Sequence, residues 1–308
     1  MSPGERPLLV LGAGGLLGRA VLAQRRDARR PPPVNWQDPA VAAAVLGPWF
    51  ATCGPEPVDV LWAAGGGFVG VTEESMALES ALLDAVLVAL GRSGARVASF
   101  GLAGSAGGVY AGLAGRVDER SPLAPVSAYG RGKQQQEEQV LAWGQRTGVP
   151  VALARYANLY GPGQRLDKAQ GLVTSLARAA VTRRPMNIFV PLDTRRDYVF
   201  VRDAATTTLR MLAAAAAEET ALTKIVASGR TTTIAELLGL VERMMRRPCP
   251  VTFAATPAGQ QQPASLSFRS VLSPDLDAVP RTTLSEGVAA VVHDVVRRLC
   301  TDGRPAVA

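Results

Sequence analysis

Tyr129 and Lys133, in the run Tyr129-Gly130-Arg131-Gly132-Lys133, have the spacing that sets two side chains on one face of a helix, one turn apart. A phenol beside an ammonium is a proton-transfer pair. A free phenol titrates near 10, so exchange near neutrality needs a drop of about three units, about 4 kcal/mol. A nearby ammonium in a shielded site supplies part of that, and positive charge on a bound group adds more. Ser105, in Ser105-Ala106-Gly107-Gly108-Val109-Tyr110, adds a hydroxyl that could hold a substrate oxygen against the phenol. Alone, a Tyr/Lys pair is also what a plain helix surface carries, so the surrounding elements decide its meaning.

The first of these is a glycine turn. Pro7–Leu11 is a short apolar run of the kind that forms a buried parallel strand, followed by Gly12, Gly15 and Gly18 and a helix over about 16–24. Strand, glycine turn and helix together are the setting of a dinucleotide site, with the pyrophosphate on the helix N-terminus. Leu16 and Leu17 belong to the same turn, and a bare glycine turn without ligand is the alternative. An acidic residue should follow about 20 residues on to hold the ribose diol of NAD. Instead Arg25-Arg26-Asp27-Ala28-Arg29-Arg30 runs into Pro31-Pro32-Pro33, so the second strand reads as abbreviated or missing. Arginines there would suit the 2′-phosphate of NADP; the alternative is a solvated basic loop.

Further strands are expected at 58–64, ending in Ala63-Ala64-Gly65, at 95–103, at 149–157, at 196–201 and at 224–227. Helices are expected at 73–90, 129–145, 171–182, 204–217, 234–245 and 284–300. The last two open on Thr233-x-x-Glu236 and Thr283-x-x-Glu286, the form of a capping box. Residues 255–263 read as a loop.

The 308 residues, 47% apolar, can build one large α/β domain with a smaller lobe. The net charge is +7, and all but three of the 33 basic residues are arginine. No basic run is interleaved with aromatics, which argues against nucleic acid as a partner. Cys53, Cys249 and Cys300 have no metal-ligand spacing, fit a reducing cytoplasm, and lead us to expect no metal. No apolar run nears the roughly 20 residues that span a bilayer, and no signal peptide is expected. His293, the one histidine, lies on an apolar-periodic helix beside Asp294, so no Ser-His-Asp triad can be built.

Five motifs in order, GAGGLLG at 12–18, SAGGVYAG at 105–112, YGRGK at 129–133, RYANLYGPG at 155–163 and RRDYVFVRDAA at 195–205, make the chain resemble the extended short-chain dehydrogenase/reductase family of nucleotide-sugar epimerases, dehydratases and ketoreductases. The resemblance covers nearly the whole chain. It implies a Rossmann-type doubly wound parallel sheet in residues 1–165, also receiving parts of about 196–220. Residues 166–195 and 221–308 then form a smaller, mostly C-terminal α/β substrate lobe. It further implies Tyr129 as general acid/base, Lys133 on the nicotinamide ribose, Ser105 on the substrate, and NADP or NAD held by Gly12, Gly15, Leu16, Leu17, Gly18, Arg25, Arg26, Asp38, Ala63, Ala64, Tyr129, Lys133 and Tyr156. Asp38 is similar to the family's aspartate beside the adenine. Asn158 and Arg196 are expected on a nucleotide-diphosphate sugar. A later clamping arginine of the family has no match in Gln260-Gln261-Gln262-Pro263, leaving Arg269 as its substitute.

The family's serine or threonine position is Ala106 here, with Ser105 one residue earlier. Dehydratase relatives place Asp-Glu where this chain has Gly107-Gly108, which cannot move protons, and no Cys/His pair for inversion beside a ketone is available. What remains is hydride transfer at one carbon: a 4-ketoreductase using NADPH, the favoured expectation, or a 4-epimerase retaining NAD. A catalytically degenerate nucleotide-binding or scaffold protein is the competing class. Relatives often pair, and Val140, Leu141 and Trp143 suggest a homodimer through helices 73–90 and 130–145.

Overall fold

The computed structural model describes residues 6–67, 70–167, 171–254, 263, 265–278 and 281–301. Of the loop expected at 255–263, residues 255–262, including Gln260-Gln261-Gln262, lie outside them. Five parallel strands form the main sheet in the order β1 (Leu8–Leu11), β2 (Val58–Trp62), β3 (Val97–Ser105), β5 (Val151–Tyr156), β9 (Leu222–Val226). Strand residues alternate between two cores, as a period of two demands. Leu8 and Val10 pack with Leu17, Val21, Met211 and Leu212 of α1 (Leu16–Gln24) and α7 (Val201–Glu218). Leu9 and Leu11 face Leu46, Leu83, Val86 and Val140 of α2 (Pro39–Ala51), α3 (Glu73–Arg92) and α5 (Ala128–Thr147). Helices thus cover both faces, and the strands read as near-continuous apolar runs because neither face meets water.

The missing second strand is a single bridge. Arg29 donates its N–H to the Leu8 carbonyl and accepts from Val10 N–H, pairing with Leu9 as a lone parallel residue outside β1. The three prolines that follow lack the N–H groups needed to extend the ladder. Beyond them α2, which the periodicity did not reveal, packs on α3; Asp38 caps it, accepting from Ala40 N and Val41 N at 3.0 and 3.1 Å.

The smaller lobe contains a three-stranded sheet of β10 (Thr231–Thr233), β8 (Arg195–Phe200) and β6 (Asn158–Tyr160). Two further pairs are β7 (Met186–Ile188) with β11 (Val251–Phe253) and β4 (Gly115–Val117) with β12 (Leu266–Phe268). A third core joins α6 (Leu172–Thr182), α8 (Ile234–Met245) and α9 (Leu284–Thr301). Both capping boxes form. The boundaries differ from the expectation: Leu222–Val226, expected in the smaller lobe, is the last strand of the main sheet, paired with β5, while β6 and β8, expected with the first domain, join β10.

The apolar surface expected to pair two chains is partly absent. Val140 is fully buried, and the Trp143 ring packs tilted against Phe100, 5.4 Å between centres, inside the chain's own core. The helix needs those residues to cover the sheet.

Candidate active site

The glycines of the first turn are dictated by contact. Gly12 has φ +85, and a Cβ on it would lie 2.4 Å from the backbone of Ala63 at the end of β2. A Cβ on Gly18 would lie 2.3 Å from the Gly12 carbonyl. The turn is therefore pressed between β1, β2 and α1. Gly15 is the N-cap of α1 and offers no side-chain cap, and the first helical turn carries no acid, so its amides face outward with the helix dipole behind them. Gly14, Gly15 and Leu16 open one end of a cleft of about 940 Å³. That cradle and volume fit a dinucleotide.

Ser105 and Tyr129 line the same cleft. β3 ends at Ser105, which caps the short helix α4 (Ala106–Val109) by accepting from Gly108 N–H at 3.1 Å. As an acceptor there, the hydroxyl retains its own proton for a substrate oxygen. The Tyr129 ring lies between two glycines: a Cβ on Gly67 would sit 3.2 Å from one ring edge, and a Cβ on Gly108 3.1 Å from the other. Gly108 also touches Ser105 Oγ, at 3.3 Å from the same point, so the serine and the phenol share one neighbour. Gly108 thus does structural work, while a Cβ on Gly107 would meet only open space; neither supplies the acid that dehydration would need.

Lys133, one turn on, is buried; its Nζ lies 5.8 Å from the Tyr129 ring centre. It donates to Glu79 Oε1 at 2.6 Å and Gln136 Oε1 at 2.9 Å. Behind it, Arg155 in β5 makes a buried ion pair with Glu137 at 2.7 Å and also donates to the Tyr110 hydroxyl. This fastens α5 to the sheet.

Ala63, Tyr156, Asn158 and Arg196 all line the cleft. The Tyr156 hydroxyl is bonded to Thr208 at 2.5 Å and burial pushes its pKa upward, so it is no second acid. Asn158 donates to the Asp197 carbonyl at 2.8 Å, and Arg196 donates to the carbonyls of Arg195 and Pro263. Burial lowers the Arg196 pKa.

Other expected contacts do not reach the cleft. Leu17 turns into the core, and Ala64 packs on the opposite side from Ala63. Arg25 and Arg26 sit in the turn after α1, below the sheet; α1 runs antiparallel to β1, so its C-terminus is at the end away from the glycine turn. Arg25 there pairs with Asp27 at 2.7 Å and donates to the Arg6 carbonyl. Arg29 bonds Thr52 at 2.8 Å. Asp38 caps α2 and is outside the cleft lining. Arg269 continues the β12 direction, where alternation turns Leu266 and Phe268 to the cleft and leaves Arg269 exposed on the other side.

Two cleft groups escaped the sequence reading, Arg19, whose guanidinium donates to the Gly163 carbonyl, and Phe189, 46% exposed on the wall; a third group, Glu79, lies buried behind the lining, bonded to Lys133. Only Glu79 left a signal, a carboxylate at a core-facing position between Met76 and Leu83.

A doubly wound sheet with a glycine phosphate turn and a Tyr/Lys pair at the carboxyl ends of its strands defines a dinucleotide-dependent protein of the short-chain dehydrogenase/reductase kind. Residues 52–224, more than half the chain, match the NAD dependent epimerase/dehydratase family, and the chain belongs to it. It is 29% identical over 189 residues to dTDP-L-rhamnose 4-epimerase of Burkholderia thailandensis, covering 61% of this chain and 51% of that protein. It is 21% identical over 193 residues to dTDP-4-dehydro-6-deoxyglucose reductase of Escherichia coli, covering 63% and 60%. The matches therefore span between half and three fifths of these relatives. In fold it is similar to the UDP-glucose 4-epimerase of Thermotoga maritima, with a TM-score of 0.81, 20% identity and coverage of 95% and 99%. The NADPH complex of RMD from Pseudomonas aeruginosa superposes with a TM-score of 0.78, 21% identity and coverage of 96% and 100%. Among the described residues no group of three or more His, Cys, Asp or Glu could hold a metal, and no helix is long and apolar enough to cross a membrane.

Proposed function

We propose that this protein exchanges a hydride and a proton at one carbinol or ketone carbon of a nucleotide-diphosphate-activated deoxysugar. The observation that carries the reading is that Ser105 and Tyr129 line the same cleft as the glycine turn, with buried Lys133 one helical turn behind Tyr129. A bound nicotinamide dinucleotide supplies the hydride chemistry. Tyr129 gives or takes the proton at the sugar oxygen, Ser105 donates to that oxygen, and Lys133 holds the ribose. Asn158 and Arg196 meet the diphosphate, and Phe189 offers a ring face to the base.

Of the two single-carbon chemistries, 4-epimerisation with retained NAD is now favoured. NADPH was expected from arginines among Arg25, Arg26, Arg29 and Arg30; Arg25 and Arg26 lie away from the glycine turn and Arg29 bonds Thr52, which leaves exposed Arg30, next to the residue bridged to Leu9. Gly107 and Gly108 carry no acid for dehydration. The second reading, a 4-ketoreductase, is supported by the absence of a carboxylate in the Arg29–Pro33 stretch and by the named reductase relative.

The test uses the purified full chain with dTDP- and UDP-activated sugars. Released nucleotide is identified by mass, and each sugar is incubated with and without added cofactor. Interconversion of 4-epimers without added cofactor supports the epimerase. Stoichiometric oxidation of added NADPH by a 4-keto sugar supports the reductase. Tight dinucleotide binding with neither reaction overturns both and leaves the scaffold class.

A further inference from the structure

The Lys133 ammonium does not stand alone behind Tyr129. Glu79, on α3, receives four N–H donors on one buried carboxylate. Oε1 accepts from Lys133 Nζ at 2.6 Å and Gln136 Nε2 at 3.1 Å; Oε2 accepts from the backbone amides of Gly66 and Gly67, each at 3.2 Å. The two ion-paired side chains are only 7% and 10% exposed. A Cβ on Gly65 would lie 2.7 Å from the same carboxylate, so the loop after β2 is folded directly onto it. Gly67 of that loop also touches the Tyr129 ring. One side chain thus ties together α3, the lysine, the loop that borders the cleft, and one edge of the phenol's slot.

We propose that Glu79 is a positioning residue of the site: it fixes Lys133 and the Gly66–Gly67 loop in one cluster and sets the net charge behind Tyr129 close to zero until a cofactor binds. The proposal rests on the reading of Tyr129 as the acid/base. Glu79 and Gln136 take two of the three ammonium protons and leave one for the ribose. Burial works against the Glu79 charge, but the Lys133 ammonium, with the Gln136 and Gly66 donors, outweighs it and holds the carboxyl below its usual range. An ammonium and a carboxylate 2.6 Å apart together carry no net charge. A neutralised pair exerts little field on the phenol, so the main drop in the phenol's pKa comes on cofactor binding. That confines proton exchange to the loaded enzyme.

Other charges face the same region. Arg131 is paired with Glu73 at the exposed mouth, and Arg19, Arg165 and Arg196 line the cleft from other elements. Glu137, Arg155 and Tyr110 form the neutral network behind α5. None of these changes in the variants below.

The experiment is an absorbance titration of the Tyr129 phenol in cofactor-free protein, taken as the difference between each protein and its Tyr129→Phe counterpart. It reads the proton equilibrium without turnover. Glu79→Gln preserves the shape and removes the charge, so the phenol titrates lower by about one pH unit, the size of one unscreened charge at this separation. Lys133→Met leaves Glu79 ionised on its three remaining N–H donors and raises the phenol by a similar amount. The double variant returns it to near the wild-type value. An unchanged titration in Glu79→Gln, or a double variant that equals Lys133→Met, overturns the proposal. If Glu79→Gln does not fold, the comparison of Lys133→Met with the double variant still decides. Turnover retained by Tyr129→Phe would sink the acid/base reading instead, and the titrations would judge Glu79 independently.

Discussion

At the scale of the residue, the slot around Tyr129 determines what its hydroxyl can be tested for. The ring is bounded by Gly67 and Gly108, and neither contact involves the phenolic oxygen. Phenylalanine therefore fits the same slot. Tyr129→Phe is expected to lower turnover by roughly 10²- to 10⁴-fold, the usual contribution of a general acid–base group. Cofactor affinity, measured by fluorescence quenching, should stay within about threefold. Turnover within a few-fold of wild type would remove Tyr129 from the proton path. The Ser105 hydroxyl has a weaker claim, because it already caps α4. The cap and the Gly108 contact together leave Ser105 and Tyr129 with one shared neighbour.

At the scale of the element, the glycines of α5 are explained by helix packing. A Cβ on Gly130 would lie 2.4 Å from the Gly108 carbonyl, a backbone atom that cannot move without displacing α4. Gly130→Ala should destabilise the fold by about 1–3 kcal/mol as overpacking. It should also lower turnover, because α4 carries the Ser105 contact. Thermal melting beside kinetics checks it, and a variant equal to wild type in both would show that α4 yields freely. The same contacts show what was legible in the chain. Apolar runs and capping boxes place α1 and α8 to the residue, because their signals are local. α2 was missed because its Ala-rich run shows little periodicity, and Asp38, expected beside the adenine, caps that helix: a cap and a cofactor contact look alike in sequence. Val140 and Trp143 looked like spare surface only while Phe100, 40 or more residues away, was not known to face them. Arg25 failed for a similar reason: which end of the sheet a helix terminus reaches depends on the helix direction, not on residue type. Glu79 needed the distance to Lys133, which no local pattern carries.

At the scale of the molecule, the site exists only while two lobes hold one cleft between them, and Gly163 is a point where they meet. Its carbonyl accepts from Arg19 of α1, and its amide donates to Asp294 Oδ2 of α9 at 2.8 Å. Asp294 also pairs with Arg297 at 2.8 Å and, more loosely, with Arg298. Burial raises the Asp294 pKa, but the Gly163 amide and the two arginines outweigh it, so the carboxyl lies below its usual range. A group whose folded pKa is depressed stabilises the fold fully above its unfolded pKa, near 3.9, and loses that contribution as pH falls through the folded value. Asp294→Asn keeps an oxygen for the Gly163 amide and gives up the charge. Because the arginine partners are partly solvated, the expected loss at neutral pH is on the order of 1 kcal/mol. The variant should therefore melt a few degrees lower than wild type at pH 7, and the gap should close as the pH is taken well below 4. Dinucleotide affinity should weaken with it, since Arg19 and Gly163 border the phosphate turn. A gap in melting temperature that stays constant from pH 7 into the acid range would show that the Asp294 charge contributes nothing to holding the lobes together.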